Sequence, residues 1–132
     1  RKIIMNKNTS AIAKDNTIRV SPLKLANITR LIVNQKVDKA VNQLKFSEKR
    51  VSRDVLKVLN AAISNAENNQ QLDIDNLFIK EAYVGKSLSM KRFRPRAKGR
   101  ASSILKPFSK LTIIVEERIK EKEKKAKKGN KK

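Results

Sequence analysis

The segment Ser89-Met-Lys-Arg-Phe-Arg-Pro-Arg-Ala-Lys-Gly-Arg-Ala101 lies between two runs of strand-forming residues, Leu77-Phe-Ile-Lys-Glu-Ala-Tyr-Val84 and Leu111-Thr-Ile-Ile-Val115. Both runs are rich in the β-branched and aromatic side chains that suit a pleated, half-buried surface. Paired antiparallel, they turn everything between them into one long hairpin. Pro95 and Gly99 supply its reversal, because Pro presets a turn and Gly tolerates positive φ. At about 3.3 Å per residue, the stretch from Val84 to Arg96 carries the tip about 40 Å from the last core pair. That exceeds the radius of so small a domain. An arm of this length has little packing of its own, so it is expected to be flexible alone and ordered by a partner.

The partner should be anionic. Lys86, Lys91, Arg92, Arg94, Arg96, Lys98, Arg100, Lys106 and Lys110 fall in the stretch from Lys86 to Lys110 with no acidic residue in it. Over the whole chain of 132 residues, 33 Lys and Arg against 12 Asp and Glu leave a formal charge of +21, which repels itself unless a polyanion lies against it. Arg gains on Lys toward the tip, and a planar guanidinium takes two phosphate oxygens at once or stacks on an unpaired base, as RNA recognition requires. A solvated charged loop is the bland alternative; the length, the missing acids and the flanking strands weigh against it. Smaller basic groups occur at Arg19, Lys24 and Arg30 and at Lys49, Arg50 and Arg53, where a solvated helix face explains the charge as well as RNA contact does. Phe93 lies inside the arm, where a base or the opposite strand can pack on it, whereas Phe78 and Tyr83 are expected in the core.

Other function classes drop out. With no Cys and no His there is no thiol nucleophile, disulfide framework, Cys/His zinc site or imidazole base. Asp73 and Asp75 are close in sequence, but a turn explains them better than acid/base work. The phosphate-cradling string G-x-x-x-x-G-K-[ST] is absent. No enzyme, metal site or cofactor is expected. Nothing approaches the 18 or so consecutive apolar residues of a spanning helix, so no membrane partner is expected, and Arg1 to Asn8 does not read as a signal peptide.

The remaining chain reads as one domain. Thr17-Ile-Arg-Val20 alternates as a short strand. Ser21-Pro22 opens a helix to about Val33, with Leu25, Ile28 and Ile32 at helical spacing. Val37, Ala40, Val41 and Leu44 mark a second helix, which Phe46-Ser47 breaks, with Ser47 placed to cap the next. The third is expected from Glu48 to about Asn68, where two adjacent stripes, Val51, Val55, Val58, Ala62 and Leu56, Leu59, Ile63, Ala66, make a wide apolar face that needs covering on more than one side. The amides of Asn65-Ala-Glu-Asn-Asn-Gln-Gln71 end it.

Three segments, Arg19-Val-Ser-Pro-Leu-Lys24, Val58-Leu-Asn-Ala-Ala-Ile-Ser-Asn-Ala-Glu-Asn68 and Met90-Lys-Arg-Phe-Arg-Pro-Arg-Ala-Lys-Gly-Arg-Ala101, closely resemble in order and spacing the L-twenty-two family of large-subunit ribosomal proteins. The arm motif is the most specific of them, and the likeness runs from about Ile12 to Glu116. It implies an α+β fold, three helices packed on a small antiparallel sheet with a long protruding β-hairpin, to which this chain adds a basic C-terminal tail. The matched part is a single domain at 12–116 with its body at 12–84 and 111–116 and its arm at 85–110; outside the likeness, composition reads as an N-terminal extension at 1–11 and a Lys-rich tail at 117–132, expected to be frayed or disordered.

The resemblance further implies a bacterial-type, cytoplasmic component of the large subunit that binds rRNA, aids its assembly and contributes the hairpin tip to the wall of the nascent-peptide exit tunnel. Arg19, Lys24, Lys86, Lys91, Arg92, Arg94, Arg96, Lys98, Arg100, Lys106 and Lys110 then contact rRNA. Met90, Lys91, Arg92, Arg96, Lys98, Gly99 and Arg100 then lie at or near the tunnel constriction, where the family influences macrolide response and peptide-dependent stalling. The implied partners are large-subunit rRNA, neighbouring ribosomal proteins and the nascent polypeptide, with no homo-oligomer. This chain departs from the family pattern at Glu67-Asn68-Asn69, where His is common, and at Gly85-Lys-Ser-Leu88, where an acidic residue and Gly are common. The alternative from another class is an architectural DNA-binding protein with a basic β-arm, which usually acts as a symmetric dimer.

Overall fold

A computed structural model describes residues 9–118. In chain order these form β1 (Ser10–Ile18), α1 (Pro22–Ile32), α2 (Val37–Lys45), α3 (Val51–Asn68), a short 3-10 turn (Ile74–Asn76), β2 (Leu77–Pro95), a second such turn (Ala97–Gly99) and β3 (Ala101–Glu117). The fold is α+β: three helices on a three-stranded antiparallel sheet of order β1-β3-β2, from which β2 and β3 continue as a hairpin. The expected Lys-rich tail lies outside the described residues from Ile119 onward, as do the first eight residues of the expected extension.

α1 starts with Pro22 after an extended Ser21 whose carbonyl accepts from the Leu25 N–H at 3.2 Å. The Ser21 hydroxyl makes no capping bond. The Ser-Pro signal therefore acts through proline's preset φ and missing N–H. α2 carries Asp38 in its first turn and Lys45 in its last, each favourable to the helix dipole, and buries Val37, Ala40 and Leu44.

α3 begins at Val51, three residues after the expected Glu48. Ser47 does not cap it: its Oγ accepts from the Lys49 N–H at 3.4 Å and from the buried Ser52 hydroxyl at 2.9 Å, shaping the turn before the helix. The wide apolar face is present. Val55, Leu59, Ala62 and Ala66 are buried among the core, while Leu56 and Ile63 pack partly buried at its margin. That face is covered from two sides, because α3 packs on β1 and β3 and also receives α2, while α1 covers β2 and β3. Each fully buried large side chain, among them Leu25, Leu59, Ile79 and Ile113, contributes about 1.5–3 kcal/mol over its exposed state.

The first strand corrects the expectation at Thr17 to Val20. β1 is longer and earlier, spanning Ser10–Ile18, and Val20 lies beyond it. Its inward residues are Ala11, Ala13 and, past the bulge, Ile18, while Ile12 is 47% exposed. Alanine is a poor strand signal, so periodicity of large apolar residues found only the strand's end, at Thr17 and the buried Ile18. α3 lies against this strand, and Asn65 Nδ2 donates to the Ile12 carbonyl at 3.0 Å.

β3 is the unbroken centre of the sheet, and its neighbours bulge against it. β1 holds one extra residue between Asp15 and Ile18, and β2 holds one between Ile79 and Glu81 and another between Lys86 and Ser89. Along β3, Ser109, Leu111, Ile113 and Val115 are fully buried on the helix-covered face. The first β2 bulge changes which residues oppose them: Ile79 faces Val115, but Ala82 faces Ile113 and Val84 faces Leu111. Tyr83 consequently points outward at 56% exposure and is not core, and Phe78 is only half-buried, with Arg118 over its ring at 5.4 Å. The outer edge of β2 in the body is capped by the α1–α2 connection: the Asn34 N–H donates to the Ile79 carbonyl at 2.9 Å, and the Ile79 N–H to the Gln35 carbonyl at 3.0 Å.

Candidate nucleic-acid interface

β2 and β3 stay paired beyond the body, from Ser89 opposite Pro107 to Pro95 opposite Ala101. Pro107 sits beside the second β2 bulge, a position where its missing N–H interrupts no regular ladder. The reversal is compact: the Arg96 N–H donates to the Arg100 carbonyl at 2.6 Å. Lys98 (φ 59°) and Gly99 (φ 66°) both occupy the left-handed region, so the reversal falls in the expected Pro95 to Gly99 window. Arg96 Nε also donates to Ser102 Oγ at 3.1 Å, bracing the turn.

Four of the residues expected at the tip, Arg96, Lys98, Gly99 and Arg100, belong to this turn or flank it. Met90, Lys91 and Arg92 are on the shaft instead, opposite Lys106, Leu105 and Ile104, about 13–20 Å below the turn. Lys86 and Lys110 stand at the arm's base, opposite Ser109 and Gly85. Among the described residues the ion pairs are Lys36–Asp38, Lys80–Glu116 and Arg118–Glu116. None involves an arm cation, so the arm's positive charge meets no carboxylate of the described chain.

At the foot of the arm the fold brings together basic residues that are distant in sequence. A groove of about 490 Å³ is lined by Arg19, Val20 and Ser21 from the β1–α1 connection, Lys24 from α1, Arg50 and Val51 at the start of α3, and Leu105, Lys106 and Pro107 from β3. Arg50 Nη2 donates to the Arg19 carbonyl at 3.4 Å, tying two of these segments. A second hollow of about 330 Å³ shares Lys24, Arg50 and Val51 and adds Lys49. Both are free of acidic lining. Arg19 and Lys24 thus join Lys106 in one surface, and Arg50, which sequence alone left evenly between a solvated helix face and RNA contact, belongs with them. Arg30 and Arg53 line neither hollow. Only proximity in the fold reveals this grouping, since no local pattern links residues 19, 50 and 106.

The carboxylates do structural work. Asp73 Oδ1 accepts from the Asp75 N–H at 3.1 Å and its Oδ2 from Asn76 Nδ2 at 2.7 Å, an Asx turn before β2. Glu81 accepts from the Tyr83 hydroxyl, and that hydrogen bond, reinforced by the carboxylate's charge, raises the phenol above its ordinary pKa. Among the described residues no cluster of acidic side chains offers a metal site, and no helix is long and apolar enough to cross a membrane.

The family described as ribosomal protein L22p/L17e matches residues 13–116. The chain belongs to the ribosomal protein L22p/L17e family. It is 59% identical over 107 residues to the large ribosomal subunit protein uL22 of Phenylobacterium zucineum, covering 81% of this chain and 85% of that one. The protein of the same name from Pelagibacter ubique is 52% identical over 117 residues, 89% of each chain. That of Caulobacter vibrioides is 55% identical over 107 residues, 81% of this chain and 85% of the relative. The span matched to L22p/L17e contains the whole arm and every residue lining the groove. L22p/L17e is a family of ribosomal proteins, and this member is not an enzyme.

Proposed function

We propose that this ribosomal protein of the large subunit holds rRNA along its arm and in the groove at the arm's foot, helps tie rRNA segments together during assembly, and presents the turn around Arg96 to Arg100 to the wall of the nascent-peptide exit tunnel. The observation that carries this reading is the arm: nine cations between Lys86 and Lys110 with no acid among them and no ion pair to a described carboxylate. On this reading Lys86, Lys91, Arg92, Arg94, Lys106 and Lys110 hold phosphate along the shaft, with Arg19 and Lys24 joining at the groove. Met90, Lys91 and Arg92 lie close below the tip, and Arg96, Lys98, Gly99 and Arg100 meet the nascent chain. The body, 12–84 and 111–116, seats the molecule, the arm, 85–110, reaches inward, and the protein acts as one copy per subunit beside its ribosomal-protein neighbours. Its bacterial relatives place it in the bacterial cytoplasm as part of the ribosome.

Salt-washed co-sedimentation tests the reading. The protein should remain with the large subunit through washes that strip loosely held cations; release at moderate salt, with dimeric binding to duplex DNA, would falsify it. No observation favours that DNA alternative. A second expectation concerns Lys91 and Arg92. Changing both to Ala should leave the body folded and the protein incorporated, because neither side chain touches the core, while altering macrolide sensitivity. A double variant unable to fold would contradict the assigned boundary between body and arm.

A further inference from the structure

The arm is charged on one face more than the other, and the register of β3 shows it. Residues directly opposite one another in a ladder share a face, and alternate residues along a strand point oppositely. β3 has no bulge, so its odd-numbered residues continue the face that carries Ser109, Leu111, Ile113 and Val115 in the body. Opposite Leu105 stands Lys91, opposite Ser103 stands Phe93, and opposite Pro107 stands Ser89. That face therefore presents Phe93, 77% exposed, and Leu105, 59% exposed, with Lys91 as its one cation between the bulge and the turn. The other face pairs Arg92 with Ile104, Arg94 with Ser102 and Met90 with Lys106. Two side-chain contacts bear out the assignment: Arg96 Nε reaches Ser102 Oγ at 3.1 Å, and Arg92 Nη2 lies 3.6 Å from Met90 Sδ, each joining residues of the Arg92/Arg94 face.

We infer that the arm binds RNA through two chemically different faces, phosphates on the Arg92/Arg94/Lys106 face and unpaired bases on the Phe93/Leu105 face, where Phe93 is the stacking platform. The inference rests on the reading of the arm as rRNA-binding. The occupant follows from continuity: Leu105, Lys106 and Pro107 all line the basic groove at the arm's foot, where the two faces meet, so a strand whose phosphates sit by Arg19, Lys24, Arg50 and Lys106 can lay its bases onto the face of Leu105 and Phe93. The ribbon is only two strands, about 10 Å, across. RNA surrounding it meets both faces, and a face with one cation and an exposed aromatic ring offers bases what it cannot offer phosphates.

The chain has no Trp, so Phe93→Trp introduces a single indole reporter. The test uses the intact protein and Caulobacter vibrioides large-subunit rRNA as the probe, with affinity measured from about 50 to 200 mM salt. Phe93→Ala should weaken binding roughly tenfold with an unchanged slope of log affinity against log salt, since stacking releases no counterions. Arg92→Gln and Arg94→Gln should each flatten that slope by about 0.7–0.9. Phe93→Trp should restore affinity, and its fluorescence should be quenched on binding. Wild-type affinity in Phe93→Ala, a flattened slope in that variant, or an unquenched indole on bound RNA overturns the two-face assignment; quenching by the nascent chain alone in assembled ribosomes also overturns it. Absence of salt-dependent binding by the wild-type chain overturns instead the rRNA reading beneath it.

Discussion

Ser109 sits where the arm leaves the body, fully buried, with its hydroxyl donating to the carbonyl of Val20 in the β1–α1 connection. That bond joins the arm's base to the loop that also lines the basic groove. Ser109→Ala keeps the strand but leaves a buried carbonyl without this partner, at a cost of about 1–2 kcal/mol. Thermal unfolding should register it as a fall in Tm of about 5–10 °C, and an unchanged Tm would show that water replaces the hydroxyl. Chemistry at single positions is also where sequence reasoning was weakest. Tyr83 has the composition of a core residue, yet one extra residue at the Ile79–Glu81 bulge hands the inward positions to Ala82 and Val84. Nothing in the side chains of that run announces the bulge, because it is settled by pairing with β3.

The hairpin is one ladder with two stabilities. In the body, β3 has β1 on one side and β2 on the other, under a helical layer; past Ser109 it keeps only β2. An isolated two-stranded ribbon is marginal in water. Hydrogen exchange on the free protein should therefore find the amides of Lys91, Phe93 and Leu105 exchanging through local opening, while those of Ile79, Ile113 and Val115 wait for global unfolding. Equal protection along the whole ladder would refute an arm that needs its partner for order. The helices and the hairpin were legible in sequence because their signals are local: apolar spacing in α1 and α3, proline at the head of α1, and strand runs on both sides of a Pro/Gly turn. Most of β1 was not, because its buried face is made of Ala11 and Ala13 until Ile18 at its end.

At the scale of the whole molecule, charge and shape divide the work. Among the described residues the ion pairs, Asp38 with Lys36 and Glu116 with Lys80 and Arg118, all lie off the arm and leave its cations to an outside partner. Net charge already pointed to a polyanion; what it could not supply was geometry. Arg19, Lys24, Arg50 and Lys106 meet in one groove only because α1, the start of α3 and the base of the arm converge there, and the separation of Arg92 and Arg94 from Phe93 and Leu105 exists only in the paired ribbon. The central claim is that this ribbon is embedded in rRNA with its turn at the tunnel wall. Site-specific photo-cross-linking from positions 94 and 98 in assembled, translating large subunits tests it most directly. Position 94 should cross-link to rRNA and position 98 to rRNA and to the nascent chain; capture of neither by position 98, or of ribosomal proteins alone by position 94, would contradict it.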